Sequence, residues 1–360
     1  MKKIITTVGT SLIDNYMKTR KKFPKDVYIK KNRLEIDDKD ANHYAAKLYK
    51  WVTEDKANAA SAEITSIEKI KKECGDDLDV YLLASDTALS YICSLAIKKS
   101  YNDVNGIKIK EISVISGLRV NSKNKFVKEG LPSLISRIDN IANGYFSNVI
   151  FNITGGYKGV VPYLTIMALI NQSEIKYIYE DSKELITIPI LPIIINDEIF
   201  EKYFDELSLL NIGIENYQNV KCENYEIYNN LEKIGLVESQ DNLALISPIG
   251  KIFFENFNSR YLSFYCPDDV FQEIENQKDI KRILKEKFIT SITDKKLKKK
   301  GNHYVFDDGN NNNRIYFFKS HGKVYIYKTF QNEELAKKYI DVNVNHEDII
   351  KKSKYRRVKK

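Results

Sequence analysis

Small polar residues, glycines and cations follow four apolar, β-branched stretches in the first half of the chain. They are Gly9-Thr10-Ser11, Ser85-Asp86-Thr87, Gly117-Leu118-Arg119 and Thr154-Gly155-Gly156-Tyr157-Lys158. Glycine-rich turns that precede helices offer free backbone N–H groups and the positive end of a helix dipole to an anion. Arg119 and Lys158 add cations that suit a phosphate. The pattern therefore predicts a site for a phosphodiester ligand.

A second group of candidate residues lies near the C-terminus, where cations alternate with aromatic rings. Residues 258–360 contain 24 lysine and arginine residues against 14 aspartate and glutamate residues, a net charge of +10, whereas the whole chain carries +8. Cations bind the phosphates of single-stranded RNA while its bases stack on rings, so this segment predicts a polyanionic partner. A solubilising tail, with a solvated charge run at Lys298–Lys300, is the open alternative.

The sequence lacks the residue patterns of several common kinds of site. The four cysteines and four histidines are scattered, with neither a zinc-site spacing nor a disulfide framework. The motifs G-x-x-x-x-G-K-[ST] and G-x-G-x-x-G are absent, so neither a P-loop hydrolase nor a dinucleotide-dependent dehydrogenase is predicted. Arg314 and His321 have the R-x6-H spacing of HEPN ribonucleases, but that motif acts from a helix and this stretch has strand periodicity. We expect no metal and no cofactor.

The hydrophobic pattern predicts the scaffold that positions these residues. Strands alternate with helices over about 190 residues, which is typical of an α/β fold with a doubly wound sheet. Ligands bind such sheets beyond the carboxyl ends of the strands, where the four polar groups lie. The length of 360 residues predicts two or three domains, which we place at 1–195, 196–257 and 258–360.

The second and third predicted domains have different patterns. Residues 196–257 follow the helix, strand, turn, strand and helix order of a winged helix-turn-helix. Its NYEIYNNLEKIG helix carries only Lys233, with Glu226 and Glu232 against it, so a connecting or dimerising module is favoured over DNA binding. Residues 258–360 read as an α+β domain in which RIYFFKS and KVYIYKTF form a hairpin around His321-Gly322.

No apolar run approaches the roughly 20 residues that cross a bilayer. The longest, Ile186–Ile195, is interrupted by Pro189 and Pro192. The apolar stretch behind the two N-terminal lysines is too short for a signal peptide. We expect a cytoplasmic protein with no membrane partner.

The first domain resembles the CARF sensor domains of type III CRISPR systems, in the subgroup that bears GTSL after strand one. The resemblance rests on GTSL (Gly9–Leu12), ASAEITSI (Ala60–Ile67), LLASDTALSYIC (Leu82–Cys93), SGLRV (Ser116–Val120) and NITGGYKG (Asn152–Gly159). It implies a Rossmann-like domain that dimerises and binds cyclic oligoadenylate across the two-fold axis, with cyclic tetra-adenylate as the expected activator. The pocket implied by the resemblance is lined by Thr10, Ser11, Ser85, Arg119, Thr154, Gly155, Gly156, Tyr157 and Lys158.

Residues 258–360 resemble RelE-type mRNA interferase toxins in their order of elements and basic character. In that family, lysines and arginines on the sheet hold mRNA in the ribosomal A site and stabilise in-line attack by the substrate's own 2′-OH. The resemblance implies a catalytic set of Lys298, Lys300, Arg314, Lys328, Tyr355 and Arg356. No terminal Tyr or His is an unambiguous match, so the general acid and base are unassigned.

Together the two resemblances imply a CRISPR ancillary effector that acts as a homodimer. Cyclic oligoadenylate binds the sensor domains, and the RelE-like domain then cleaves ribosome-bound mRNA without a metal. Two alternatives stay open. One is a transcription factor controlled by cyclic oligoadenylate, with the winged helix on DNA. The other is a ring nuclease that degrades the signal.

Overall fold

The structure is a computed structural model of the chain, and it divides into two compact units, Met1–Phe254 and Glu255–Lys360. It describes residues 1–19, 22–28, 32–54, 60–102, 104–119, 122–179, 184–212, 225–240, 243–288, 298–300, 303–307, 312–321 and 323–359. No helix within these ranges is both long and apolar enough to cross a membrane.

The first unit is built on a six-stranded sheet. Its strands are β1 (Lys2–Val8), β2 (Leu78–Ser85), β3 (Ile107–Ile115), β4 (Val149–Asn152), β5 (Glu174–Ile178) and β6 (Leu185–Ile188). They lie in the order β3-β2-β1-β4-β5-β6, with β1 to β5 parallel and β6 antiparallel to β5. This arrangement confirms the predicted α/β fold with a mainly parallel sheet. The strand order reverses between β1 and β4, where such sheets have a crevice.

Both faces of this sheet are buried by helices. Ile4 of β1 belongs to one apolar cluster and Ile5 to another, because successive side chains point to opposite faces. The first cluster includes residues of α1, α3, α4 and α5, and the second residues of α7 and α8. The helices of this region are α1 (Ser11–Lys18), α2 (Lys25–Tyr28), α3 (Asp38–Glu54), α4 (Ala62–Cys74), α5 (Ala88–Ser100), α6 (Lys123–Lys125), α7 (Leu131–Ala142) and α8 (Val161–Ile170).

The stretch predicted as one helix after Ser122 has an irregular centre. It begins as α6, widens to a π-helical turn over Phe126–Gly130 and continues as α7. Pro132 lies in the first turn of α7 and has no N–H for an i→i−4 bond. The missing donor accounts for the wider turn before it.

The remainder of the first unit, whose last helix continues into the second unit, follows the predicted order. Its elements are α9 (Asp197–Lys202), α10 (Phe204–Ile212), α11 (Tyr225–Lys233), β7 (Val237–Gln240), β8 (Leu243–Ile246) and α12 (Pro248–Arg260). β7 and β8 pair antiparallel, so the hairpin between two helices is confirmed. The winged-helix identity and the three domain boundaries stay predictions.

The second unit has its own six-stranded sheet. Its strands are β9 (Tyr261–Cys266), β10 (Lys298–Lys300), β11 (His303–Asp307), β12 (Arg314–Ser320), β13 (Lys323–Phe330) and β14 (Lys354–Lys359). Their order is β10-β11-β12-β13-β9-β14, and only the β13–β9 pair among them is parallel. The predicted hairpin of β12 and β13 is confirmed; Gly322 lies outside the described residues. The sequence pattern does not predict β14, whose residues are mostly cations.

The two faces of this second sheet differ in chemistry. The helical face packs against α13 (Asp268–Asn276) and α14 (Lys278–Ile283) through an apolar core that includes Phe264, Ile274 and Phe317. The opposite face, which we call the ring face, carries Tyr265, Tyr316, Phe318, Tyr325 and Tyr327. Two short helices, α15 (Glu333–Lys338) and α16 (His346–Lys352), lie against strands of this sheet.

Candidate functional site

A cleft of about 610 Å³ opens beyond the carboxyl ends of β1, β4 and β5. Six of the nine predicted ligand residues line it: Thr10, Ser11, Thr154, Gly155, Gly156 and Lys158. The sequence reasoning did not select several others that line it, among them Asp14, Asn15, Lys18, Glu63, Thr65 and Tyr179. The structure therefore brings the β1 and β4 turns together, as the strand-end pattern predicts.

The turns after β1 and β4 lie in direct contact. The Thr7 hydroxyl donates to the Gly155 carbonyl oxygen at 2.6 Å. Gly156 has a φ of 90°, and a side chain there would begin 2.6 Å from the Thr7 Cβ. Only glycine fits this backbone and this space. The close approach leaves both turns at the same end of the cleft.

Glu63 forms part of the cleft floor. It lies in the first turn of α4, which Ser61 caps by accepting a hydrogen bond from the Ile64 N–H. The Glu63 side chain is buried, with 1% of the residue exposed. Its carboxylate accepts hydrogen bonds from the Gly9 N–H at 2.8 Å and the Ser11 hydroxyl at 2.9 Å. One carboxylate therefore ties α4 to the turn after β1.

A buried amide organises the end of β4. Asn152 is fully buried, and its Nδ2 donates to the Ser66 Oγ at 2.7 Å and to the Thr6 Oγ1 at 3.3 Å. Its Oδ1 accepts a bond from the Thr154 hydroxyl at 2.8 Å. The same hydroxyl oxygen accepts a hydrogen bond from the Ile178 N–H at 3.0 Å. Thr154 thus joins the ends of β4 and β5, and its hydroxyl already has partners within the protein.

Two exposed lysines and one exposed ring complete the lining. Lys18 donates to the Asn15 side chain at 3.2 Å, and Lys158 begins the short helical turn Lys158–Val160. The Tyr179 residue is 56% exposed and directly follows β5. Tyr179 could have been predicted from the sequence, because it lies at the end of a fifth predicted strand. Lys18 has no such signal, because it reaches the cleft from the last turn of α1.

Three predicted ligand residues are not part of this lining. Ser85 ends β2, and Arg119 follows β3. The Arg119 guanidinium bonds to Asp86, a buried carboxylate, at 2.6 and 2.8 Å. The Tyr157 ring packs edge-on against Phe126 at a centroid distance of 5.2 Å. In the described state, Arg119 and Tyr157 therefore contact the protein itself.

Two of the predicted catalytic cations, Arg314 and Lys328, pair with carboxylates in the described structure. Arg314 is buried, donates to the Asn313 carbonyl oxygen at 2.9 Å and lies 3.7 Å from the Glu333 carboxylate. Lys328 donates to Glu273 at 2.9 Å. Any anion that binds either cation has to compete with these partners. Lys298 and Lys300 lie in β10, and their side chains are outside the described part of the chain.

Tyr355 and Arg356 point to opposite faces of the second sheet. The Tyr355 hydroxyl lies 3.0 Å from the Ser263 Oγ on the ring face. The Arg356 guanidinium lies 4.5 Å from the Phe271 ring centre and pairs with Asp268, both on α13. Alternation along a strand forces this separation. A substrate on one face therefore cannot contact both residues.

A row of rings crosses the ring face. Neighbouring centroids are 5.0 Å apart for Phe318 and Tyr325, 5.2 Å for Tyr325 and Tyr265, and 5.9 Å for Tyr265 and Tyr355. These residues come from β12, β13, β9 and β14 in turn. The His346 ring of α16 stacks on Phe318 at 4.0 Å. The row follows the strand spacing of the sheet.

Cations lie over rings on the same face. The Lys323 ammonium is 4.8 Å from the Tyr265 ring centre, and the Arg357 guanidinium is 4.4 Å from that of Tyr261. Such cation–π contacts leave positive charge beside aromatic surface. The sequence reasoning named the interleaving of cations with rings in this segment, but selected neither Lys323 nor Arg357.

His303 is a further residue that the sequence reasoning did not select. It is buried, and its Nδ1 lies 2.6 Å from the Tyr327 hydroxyl. Burial raises the pKa of Tyr327, with the phenols of Tyr339 and Tyr316 adding to the effect. This cluster lies beside Lys300, which pairs with His303 across the β10–β11 ladder. The predicted Arg314 lies on the neighbouring strand β12.

Comparison with known proteins adds one finding for the first unit. Residues 58–191 match the family described as CRISPR-associated protein (Cas_APE2256). The matched stretch contains α4, β2 to β6 and the turn Thr154–Lys158. No curated protein matches the chain. The family match supports a CRISPR-associated protein.

Proposed function

We propose that this CRISPR-associated chain is a type III ancillary effector, activated when cyclic oligoadenylate binds the first unit of a homodimer. The activator is cyclic tetra-adenylate, and the second unit is a RelE-like nuclease that cleaves mRNA in the ribosomal A site. One observation carries the proposal: the cleft beyond β1, β4 and β5 lies largely within residues that match a CRISPR-associated family.

The chemistry of the cleft suits a ring of adenylates. Lys18 and Lys158 supply cations for phosphates, and the exposed Tyr179 ring offers a stacking surface for a base. Gly9 and Gly156 have no side chains and their backbones pack closely together, so no side chain of either residue separates a ligand from the two turns. A four-membered ring has two-fold symmetry, so each subunit of a symmetric dimer would hold half of it.

The proposed reaction in the second unit needs positioning and charge more than a cofactor. The ribose 2′-oxygen attacks the adjacent phosphorus, the bond to the 5′-oxygen breaks, and a proton passes from the 2′-hydroxyl to the leaving oxygen. Cations stabilise the charge that develops on the phosphoryl oxygens. Arg314 alternates along β12 with Ile315, which packs in the core of the helical face, so Arg314 lies on the ring face. Arg314 and Tyr355 keep their proposed roles there, and Lys323 and Arg357 join them as RNA contacts.

The carboxylate partners of the cations suggest how activity is restrained. Glu333 occupies Arg314 and Glu273 occupies Lys328 in the described state. RNA binding has to displace both carboxylates. The activating ligand shifts this balance only if it binds the RNA-competent state more tightly than the described state.

The test is toeprinting of a defined mRNA on programmed ribosomes, with the full-length protein, with and without cyclic tetra-adenylate. Ligand-dependent breaks in the A-site codon, absent on naked RNA, support sensor, nuclease and ribosome dependence together. No breaks under either condition reject the nuclease. Duplex-DNA binding then favours the transcription factor, and linear adenylate products favour the ring nuclease.

A further inference from the structure

The cleft places a buried acid where an anionic ligand is proposed to bind. Glu63 lines the cleft although only 1% of the residue is exposed. It comes from α4, far in sequence from the turns that it contacts after β1 and β4. A buried carboxylate next to a phosphate would raise the energy of the complex, because like charges repel. Its presence therefore constrains which part of the ligand reaches the floor.

The hydrogen bonds of Glu63 leave acceptor capacity unused. An ionised carboxylate has about four lone-pair sites. Within the described residues, Oε1 accepts one bond from the Gly9 N–H and Oε2 accepts one from the Ser11 hydroxyl. Both oxygens keep a further site for a donor. The Gly155 backbone packs directly against this carboxylate, because a Cβ there would overlap Oε1, so the remaining approach to Glu63 is from the cleft that it lines.

The two lysines of the cleft differ from Glu63 in their exposure to solvent. Lys18 and Lys158 are exposed, whereas Glu63 is buried. Phosphates therefore bind best at the exposed rim, and the nucleoside faces the floor. Adenosine in a 3′–5′-linked ring presents two kinds of donor, the ribose 2′-hydroxyl and the N6 amino group.

We propose that Glu63 is a specificity-determining residue of the cleft, which accepts a hydrogen bond from a nucleoside donor of the ligand. The inference rests on the proposed function, because it assumes that the cleft binds cyclic oligoadenylate. Beyond that function, the inference specifies how the ring is oriented in the cleft. It also specifies that Glu63 is the group that recognises a ribose 2′-hydroxyl or an adenine amino group.

Three ring ligands distinguish the two donors. Calorimetric titration of the full-length wild-type protein uses cyclic tetra-adenylate, the same ring with 2′-deoxyriboses, and cyclic tetra-inosinate. If the deoxy ring binds at least tenfold more weakly than cyclic tetra-adenylate, the 2′-hydroxyl is the donor. If cyclic tetra-inosinate shows the same loss of affinity, the N6 amino group is the donor. Equal affinities for all three rings overturn the inference without any variant. Failure of the wild-type protein to bind any ring rejects the proposed function itself.

Glu63→Gln tests the residue directly. An amide at this position can donate to inosine O6, so the variant should lose preference among the rings while binding cyclic tetra-adenylate at least tenfold more weakly. Glu68→Gln, an exposed acid on the same helix outside the cleft lining, is the control and should retain wild-type affinities. Wild-type affinity and preference in Glu63→Gln would overturn the assignment. Thermal unfolding of each variant confirms that it is folded.

Discussion

Lysine at position 158 is the clearest single-residue test of the cleft. Lys158 is an exposed residue of the cleft lining, whereas Glu63 is buried there. Charge-assisted hydrogen bonds contribute about 1.5–3 kcal/mol, so Lys158→Ala should weaken binding of cyclic tetra-adenylate about tenfold or more. Calorimetry measures this loss. Lys72→Ala removes an exposed lysine of α4 outside the lining and should have no effect; equal losses in both variants would contradict the rim assignment.

Tyr355 and Arg356 were both predicted to be catalytic, but they lie on opposite faces of the second sheet. Tyr355→Phe removes only the hydroxyl that contacts Ser263 on the ring face. It should reduce ligand-dependent mRNA cleavage severalfold and leave the unfolding temperature unchanged. Arg356→Ala removes the contacts with Asp268 and Phe271 on the helical face, so it should lower the unfolding temperature first. The reverse pattern would place the substrate on the helical face.

At the scale of elements, the cleft depends on how closely the β1 and β4 turns approach α4. A methyl group at Gly155 would overlap the Glu63 carboxylate. Gly155→Ala should therefore displace the turn, destabilise the first unit by about 1–3 kcal/mol and abolish ligand binding.

Gly144→Ala is the matched control for that substitution. Gly144 has a φ of 76° and open space around it, so alanine there is strained but touches nothing. Both variants should unfold at lower temperature, but Gly144→Ala should bind cyclic tetra-adenylate normally. Normal binding by Gly155→Ala would show that the contact between the turn and Glu63 does not shape the cleft.

In the second unit, we expect the attachment of α13 to β14 to depend on pH. Asp268 at the start of α13 bonds to Lys354 of β14 at 2.7 Å and pairs with Arg356. The hydrogen bond from Lys354, then the charges of Lys354 and Arg356, hold the pKa of Asp268 below its usual value. A carboxyl whose pKa is lower in the folded state than in the unfolded state stabilises the fold at pH values above the unfolded pKa of about 3.9. This stabilisation is lost as the pH falls through the folded-state pKa.

Asp268→Asn should therefore unfold at a lower temperature than the wild type at pH 7, and the difference should shrink below about pH 4. Added salt should also shrink it, because the pair is exposed. Thermal unfolding across this pH range measures both effects. Asp269→Asn, the neighbouring exposed acid, is the control. A difference that does not change with pH would show that α13 and β14 are held together without this charge.

For the whole molecule, the charge difference between residues 258–360 and the rest of the chain predicts a salt-dependent function. Residues 258–360 carry a net charge of +10, and the preceding 257 residues carry 33 cations against 35 acids. Binding of single-stranded RNA to the full chain should weaken steeply between about 50 and 200 mM salt, because cations that contact phosphates release counterions. Fluorescence anisotropy with a labelled RNA measures this dependence. A flat response would mean that the basic excess serves solubility and not RNA binding.

The local pattern determined a large part of the fold. Apolar runs ending in glycines predicted the parallel strands, and alternating side chains predicted the β12–β13 hairpin, because periodicity along the chain reflects burial of one or both faces. Thr10 and Gly156 line the cleft because each follows a parallel strand that ends at the same edge of the sheet; their role in ligand binding stays a prediction. The charge difference between residues 258–360 and the rest of the chain could also be predicted, since it depends on composition alone.

The tertiary structure decided which of these residues meet and which are already occupied. Glu63 reaches the turns after β1 and β4 only because α4 packs beside them, and no spacing in the sequence encodes that contact. Glu333 pairs with Arg314 only because α15 lies against the sheet. β14 is poor in β-forming residues and becomes a strand because β9 offers it a ladder of backbone partners. The sequence pattern indicates the secondary structure that each segment prefers, whereas long-range packing determines which side chains come into contact.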